Sequence, residues 1–376
     1  MQARTMQSGA FPSIALKVEN LKLVFHTYAG DVKALDGVDL ELRTGEILGL
    51  VGESGCGKSV TALAIAGLLP ENAEVQDGAI WLGSQNLLTL KKRDMRLART
   101  RDIAFVFQDP MTYLNPVLSI GSQLTEILTD DKKAHLQDFM QERIKELEDV
   151  RPGQPGSLEA GIELERLRRG AATFSKRERS RLAKKIVLRY LNVVRLPEPE
   201  RVFKMYPFEL SGGMRQRVMI AMALVRKPKV LLADEITTAL DVTVQAQILE
   251  LLRELRDRIE AAIILITHDM AVVAEVCDRV AVMYAGNIVE VAEVRELFAN
   301  PLHPYTQGLL ASVPRPDKKS IQLTSISGTV PDLIFPPSGC RFHPRCPKAF
   351  DRCPNVKPPA IEVKPGHKVE CLLYGG

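Results

Sequence analysis

The chain of 376 residues contains no run approaching the roughly 18 consecutive apolar residues that a bilayer span requires, so any membrane role is expected to pass through a partner. Its start, MQARTMQSGAFPSIA, lacks the basic opening and apolar block of a secretory signal, which leads to the expectation of a cytosolic protein. Charge of one sign is also missing. Lys and Arg number 50 against 46 Asp and Glu, a net +4, which argues against a nucleic-acid binder with a basic face. No internal repeat is visible. Cysteine is scarce in the body of the chain, where only Cys56 and Cys277 occur, whereas Cys340, Cys346, Cys353 and Cys371 crowd the last tenth. In a reducing compartment such a cluster reads as a metal site before it reads as a disulfide set.

What is present fits a globular protein of two to three domain-sized units, with 45% apolar and 26% charged residues. Residues 1–13 read as a disordered lead-in. From Lys17 to Leu42 apolar and polar residues alternate, which predicts antiparallel strands. Ile47–Val51, Ile103–Phe107, Val230–Ala233 and Ala262–Ile266 are short apolar runs of the kind buried in a parallel sheet, separated by helical patterns as in a doubly wound α/β fold. Residues 130–196 are charge-rich and helical, broken by the linker-like RPGQPGSLEAG at 151–161; the basic stretches RLRRG and KRERSRLAKK read as a solvated helix face, with a membrane-surface or partner patch as the alternative. From about Pro314 helical periodicity disappears and Pro, Gly and Cys become frequent, which predicts a separate C-terminal extension over 316–376.

Between the first buried run and a helical stretch lies Gly52-Glu53-Ser54-Gly55-Cys56-Gly57-Lys58-Ser59, which fits G-x-x-x-x-G-K-[ST]. Glycines let the backbone curl so that successive N–H groups point at a phosphate, and the helix that follows aims its positive end at the same anion. Lys58 adds a point charge toward the β- and γ-phosphates, and the Ser59 hydroxyl can ligate Mg²⁺. The apolar run ending in Asp234-Glu235 supplies two acids: Asp234 to hold Mg²⁺, and Glu235 to orient or deprotonate the attacking water.

Leu210-Ser211-Gly212-Gly213-Met214-Arg215-Gln216 resembles the signature motif of ABC-type ATPases, and other motifs of that family surround it in order. The resemblance implies an α/β ABC-type P-loop ATPase with an antiparallel β subdomain, a helical subdomain over about 110–225 and an ATPase domain over 14–315. It implies that Gln108 senses Mg²⁺ and water, that Asp241 lies in the loop facing an opposing subunit, and that His268 contacts the γ-phosphate. It places Phe25 on the adenine, with Tyr28 as the alternative, a stack of about 1–3 kcal/mol. Ser211, Gly212 and Gly213 open a helix and so form a second anion cradle, which in the family serves the nucleotide held by a partner subunit. The sequence departs from the family's pattern at Ile236, where Pro is usual, and in a long insertion at about 131–185.

FQDPMTYLNP at 107–116, NPLHPYTQG at 300–308 and GCRFHPRCP at 339–347 together resemble ATPases of dipeptide and oligopeptide importers; relatives in that branch carry nickel or glutathione. The resemblance implies two transmembrane permease subunits, a second and non-identical ATP-binding subunit, an extracytoplasmic peptide-binding protein reached through the complex, and a place on the cytoplasmic face of the plasma membrane. It also implies a [4Fe–4S] cluster on Cys340, Cys346, Cys353 and Cys371. Four thiolates suit either such a cluster or Zn²⁺, and the spacing C-x5-C-x6-C-x17-C lacks the tight pairs of zinc ribbons. His343 stands as a replacement ligand or a hydrogen-bonding neighbour. A soluble ABC-type protein acting on nucleic acid or ribosomes is the alternative class, which the single G-x-x-x-x-G-K and single LSGG disfavour. A scaffold that binds ATP without turnover is disfavoured by Lys58, Glu235 and His268.

Overall fold

The computed structural model describes residues 13–129, 140–141, 144, 164–165, 168, 175–238, 240–259, 261–312 and 326–375. The expected lead-in up to residue 12, the 151–161 linker, most of the 131–185 insertion, Ala239 and the boundary near residue 315 lie outside the described residues. The chain divides into two compact units, the first made of residues 1–99, 229–235 and 249–376, the second of residues 100–228 and 236–248.

In the first unit, β1 (Ile14–Thr27) and β2 (Gly30–Arg43) form an antiparallel pair, as the alternation predicts. Leu16, Val18, Leu21 and Leu23 point into the core while Lys17 lies opposite Glu41 on the wet face. With β4 (Ala73–Leu82) and β5 (Gln85–Asn86) they make a sheet ordered β2-β1-β4-β5.

The second sheet of this unit holds β3 (Ile47–Val51), β7 (Val230–Asp234), β8 (Ala262–Thr267), β9 (Arg279–Tyr284), β10 (Asn287–Glu293), β11 (Ala360–Lys364) and β12 (His367–Glu370). Its order is β11-β12-β10-β9-β3-β8-β7. All five residues of β3 and all six of β8 are buried, which is why both read as unbroken apolar runs. β3, β8 and β7 run parallel, so their carboxyl ends share one edge, the place where open α/β sheets bind ligands.

The second unit opens with β6 (Ile103–Val106) and continues in helices Ile120–Thr129, Lys176–Val193 and Gly212–Leu224. Ser175 and Glu178 form a capping box that starts the middle helix, a device worth about 1 kcal/mol. That helix turns Ala183, Ile186, Val187 and Leu191 inward and leaves the basic residues Arg177, Arg181, Lys184 and Lys185 exposed. Arg217 donates to the carbonyls of Val194 and Arg195, just past the end of the Lys176–Val193 helix, and to Gln247 Oε1, tying three segments together.

β12 pairs with β10, so the segment expected as a C-terminal extension contributes strands to the main sheet. The buried carboxylate of Glu290 on β10 accepts from His367 at 2.8 Å and from the N–H groups of Leu302 and His303 at 2.8 and 2.9 Å.

The expectation of a [4Fe–4S] cluster, with Zn²⁺ as its alternative, is corrected by the structure. No group of three or more His, Cys, Asp or Glu side chains among the described residues is placed to hold a metal ion. Cys340 and Cys346 pack against an apolar cluster containing Tyr284, Tyr305 and Phe342, while Cys353 and Cys371 are themselves buried. Burial pushes the Cys340 thiol up to about 11 and raises Cys346 and Cys371 as well. His343 is a hydrogen-bonding neighbour, its Nδ1 lying 3.0 Å from the Cys340 carbonyl.

Glu370, at the end of β12, lines a cavity of about 370 Å³ together with Lys17, Asp39, Arg279 and Lys368. Burial pushes its carboxyl from 4.5 up to about 8, with Lys357 opposing and Asp39 and Asp36 adding to the rise. The folded chain therefore keeps a proton that the unfolded chain releases, and stability falls as pH rises across that window. The slope is about 1.4 kcal/mol per pH unit. Thermal melting at pH 5 and pH 8 is expected to show a lower midpoint at pH 8, and Glu370→Gln is expected to shrink that difference. An undiminished difference in the variant would remove Glu370 as its source.

Candidate functional site

The loop after β3 is shaped by close backbone approach. Gly52 has φ 157°, and a Cβ there would lie 2.1 Å from the Met283 carbonyl oxygen and 2.7 Å from Cys56 Sγ. Only glycine fits, and the chain turns immediately into helix Lys58–Ala66. The first N–H groups of that helix have no partner within it. They sit in an open mouth, since Ser54, Gly55 and Ser59 are exposed while Cys56, Gly57 and Lys58 are buried. Cys56 packs under the loop with its thiol raised by burial, and Cys277 is raised in the same way.

Lys58 is only 5% exposed and folds back over the loop. Its ammonium donates to the carbonyls of Gly52 at 2.9 Å and Glu53 at 3.0 Å, so a buried cation is held by the carbonyl dipoles of its own loop. Ser59 Oγ donates to Asp234 Oδ1 at 3.1 Å. Burial raises the Asp234 carboxyl, the Ser59 hydrogen bond offsets part of the rise, and Glu235 adds repulsion. A hydroxyl and a carboxylate at this separation are hard oxygen donors of the kind Mg²⁺ takes beside substrate phosphates.

Glu235 follows β7 in the left-handed region, φ 45°, uncommon for a non-glycine residue and a form of strain found at functional sites. Its N–H donates to the Ile266 carbonyl at 3.0 Å, which anchors the turn to β8. The carboxylate lies 3.2 Å from His268 Nδ1, just beyond the end of β8. Asp269 caps the next helix through the Ala271 N–H and so sets where the His268 backbone leaves the strand. Phosphate loop, Ser59, Asp234, Glu235 and His268 thus all sit at the carboxyl edge of β3, β8 and β7. Phe25 lies on β1 opposite Val32 and Ala73, partly buried, whereas Tyr28 is in the hairpin turn and fully exposed.

The remaining predicted residues belong to the second unit. Ser211 caps helix Gly212–Leu224, its hydroxyl accepting from the Met214 N–H at 3.3 Å, and Ser211 and Gly212 are exposed. A Cβ on Gly213 would lie 2.6 Å from Val244 Cγ1, so this glycine answers a packing demand. Gln216 is 2% exposed, and its Nε2 has no hydrogen-bond partner among the described residues. Asp241 caps its own helix through the Val244 N–H, Gln108 is exposed after β6, and Ile236 is buried, which the branched apolar side chain tolerates where the family usually has Pro. Sequence reasoning gave no role to Glu53 within the phosphate loop and missed Tyr305 and Arg345, which bond to it. The two motifs that carry the latter pair were visible, but nothing local joins positions 252 and 292 residues apart.

A phosphate loop, an Asp-Glu strand end, a histidine beyond the neighbouring strand and a serine-glycine helix cap define an ATP-hydrolysing cassette, and the chain belongs to the ABC transporter family, whose pattern matches residues 35–238. More particularly, the oligopeptide/dipeptide transporter C-terminal region matches residues 289–353. The chain is 45% identical over 359 residues to the dipeptide transport ATP-binding protein DppD of Bacillus subtilis, covering 95% of this chain and 94% of that one. It is 43% identical over 360 residues to the oligopeptide transport ATP-binding protein OppD of Salmonella typhimurium, covering 96% and 94%. Among solved structures it resembles the post-hydrolysis dimer of the ATP-binding cassette MJ0796 bound to ADP and Pi, with TM-score 0.56, 25% identity, and coverage of 74% of this chain and 99% of that chain.

Proposed function

We propose that the chain is the ATP-hydrolysing subunit of a peptide importer, working at the cytoplasmic face of the membrane on two permease subunits. The observation that carries it is the pairing of Ser59 with Asp234 at 3.1 Å and of Glu235 with His268 at 3.2 Å, on the same strand edge as the phosphate loop. Lys58 and the loop N–H groups take the β- and γ-phosphates, and Phe25 stacks on the adenine. Ser59 and Asp234 would hold Mg²⁺, which would neutralise charge on the phosphate oxygens, and Gln108 is the residue we assign to sensing the ion and the water. Glu235 accepts a proton from water as its oxygen attacks the γ-phosphorus and ADP leaves, and His268 holds the Glu235 carboxylate and the γ-phosphate in line.

Ser211, Gly212, Gly213, Gln216 and Asp241 serve a nucleotide held by a second, non-identical ATP-binding subunit, closing two ATPs between two chains. The exposure of Ser211 and Gly212 at a helix start supports that role. Docking to permeases is supported by the apolar residues that the second unit exposes around Gln108, among them Met111, Tyr113 and Val117, together with Phe208. The cargo is di- or oligopeptide, in keeping with the C-terminal region and with relatives named for dipeptide and oligopeptide transport. In proteoliposomes holding both permeases and the second ATP-binding subunit, peptide-loaded binding protein is expected to stimulate ATP hydrolysis several-fold. Equal stimulation by unloaded binding protein, or stimulation by nickel or glutathione alone, would contradict a peptide cargo.

A further inference from the structure

Glu53 is an unassigned position of the phosphate loop, yet its three polar groups are all held. Its N–H donates to the Tyr305 hydroxyl at 2.9 Å, its carboxylate takes two hydrogen bonds from the Arg345 guanidinium at 2.7 and 3.1 Å, and its carbonyl accepts from Lys58 Nζ at 3.0 Å. Two of the three anchors come from the C-terminal part of the chain. The third is the lysine that meets phosphate.

The anchors are themselves built in. Tyr305 is completely buried, its ring against Tyr284 and Phe342. It stands at the start of helix Pro304–Ala311, capped by His303, whose Nδ1 accepts the Tyr305 N–H at 3.0 Å. Burial lowers His303 to about 3, so the ring stays neutral and keeps that acceptor. Glu290 fixes the preceding turn through the Leu302 and His303 N–H groups. Arg345 lies over the Tyr284 ring at 5.7 Å and donates its Nε to the Ser327 carbonyl at 2.9 Å. Its guanidinium therefore reaches Glu53 with little rotamer freedom left to lose, and the fork geometry matches the carboxylate. Arg341 donates to the carbonyls of Lys33 and Ala285, at the turn between β9 and β10, and Gly286 in that turn donates its N–H to the Cys56 carbonyl at 2.8 Å.

We infer that Tyr305 and Arg345 are positioning residues of the nucleotide site: they pin Glu53, and Glu53 holds the phosphate loop and Lys58 in the conformation that receives the β- and γ-phosphates. The inference rests on the reading of residues 52–59 as the ATP-binding loop. A loop that is already ordered pays less on binding, so losing either pin lowers nucleotide affinity while neither residue touches the nucleotide. It also makes the C-terminal region, through these two contacts, part of the motor.

The test is Mg-ATP affinity of the full chain by fluorescent-nucleotide titration, with melting of the nucleotide-free protein measured alongside. Tyr305→Phe removes one oxygen atom and keeps the packed ring; Arg345→Ala removes the fork, and Arg345→Lys restores the charge without the fork. Tyr305→Phe and Arg345→Ala are each expected to weaken Mg-ATP binding about three- to tenfold, a loss in the range of one or two hydrogen bonds, with Arg345→Lys recovering only part. Glu53→Ala combined with Arg345→Ala is expected to be no worse than either alone, because one interaction is being removed twice. Should Arg345→Ala fail to fold, Tyr305→Phe and Arg345→Lys carry the comparison. Wild-type affinity in the Tyr305 and Arg345 variants, with Lys58→Ala binding weakly, would overturn the inference and leave the loop reading intact. Wild-type affinity in Lys58→Ala would overturn the loop reading and the inference with it.

Discussion

In a Glu235→Gln variant, Mg-ATP turnover is expected to fall by about 10²- to 10⁴-fold, the usual contribution of a positioned general base, while nucleotide affinity stays within a few-fold of wild type. The amide keeps the size of the side chain and can still approach His268, which lies 3.2 Å from the native carboxylate, but it cannot take a proton from water. Binding is expected to be spared because the proposed phosphate contacts, the loop at 52–59 and the Ser59–Asp234 pair, do not change. On the proposed two-subunit arrangement, ATP retained without hydrolysis is also expected to hold the two cassettes closed. Steady-state phosphate release together with an equilibrium nucleotide titration separates the two effects. Undiminished phosphate release would take the base role away from Glu235, and a parallel loss of binding would assign it to the nucleotide cradle instead.

Lys58→Ala is expected to act on the other quantity. The ammonium is 5% exposed and bonded to the Gly52 and Glu53 carbonyls, close to where the phosphate charge arrives. Hydrogen bonds to charged groups contribute about 1.5–3 kcal/mol, so Mg-ATP affinity is expected to drop roughly tenfold to a hundredfold. The two carbonyls lose their donor as well, so the loop loosens even before nucleotide arrives. Titration with a fluorescent ATP analogue measures the loss. Unchanged affinity would contradict the reading of Gly52–Ser59 as a phosphate cradle.

The parallel sheet was legible because its strands are buried on both faces. Ile47–Val51, Val230–Asp234 and Ala262–Thr267 carry almost nothing polar, and each ends at the edge where the chemistry gathers. Alternation exposed β1 and β2 for the opposite reason, since Lys17 and Glu41 face water between buried leucines and valines. Local pattern failed where contacts are long-range. Nothing around Glu53 announces that its carboxylate is taken by Arg345, 292 residues away. The cysteines misled for a related reason. Spacing along a chain says how far apart thiols are in sequence, not whether they converge, and here Cys340 and Cys346 are taken up in packing against Phe342 and its aromatic neighbours. The His-Pro-Tyr stretch reads in sequence as a family mark, and His-Pro-Arg-Cys as a family mark carrying metal ligands; in the structure they deliver Tyr305 and Arg345 to the phosphate loop.

The account turns on ATP being enclosed by two chains, one contributing the loop at 52–59 and the other a serine-glycine cradle such as Ser211–Gly213. The direct measurement is the structure of the Glu235→Gln subunit trapped with Mg-ATP and its partner ATP-binding subunit. The predicted result is a closed pair in which the Ser211 hydroxyl and the Gly213 N–H lie about 3 Å from γ-phosphate oxygens of the nucleotide in the partner's loop. A nucleotide-loaded chain that stays alone in solution, with Ser211 facing only water, would contradict it.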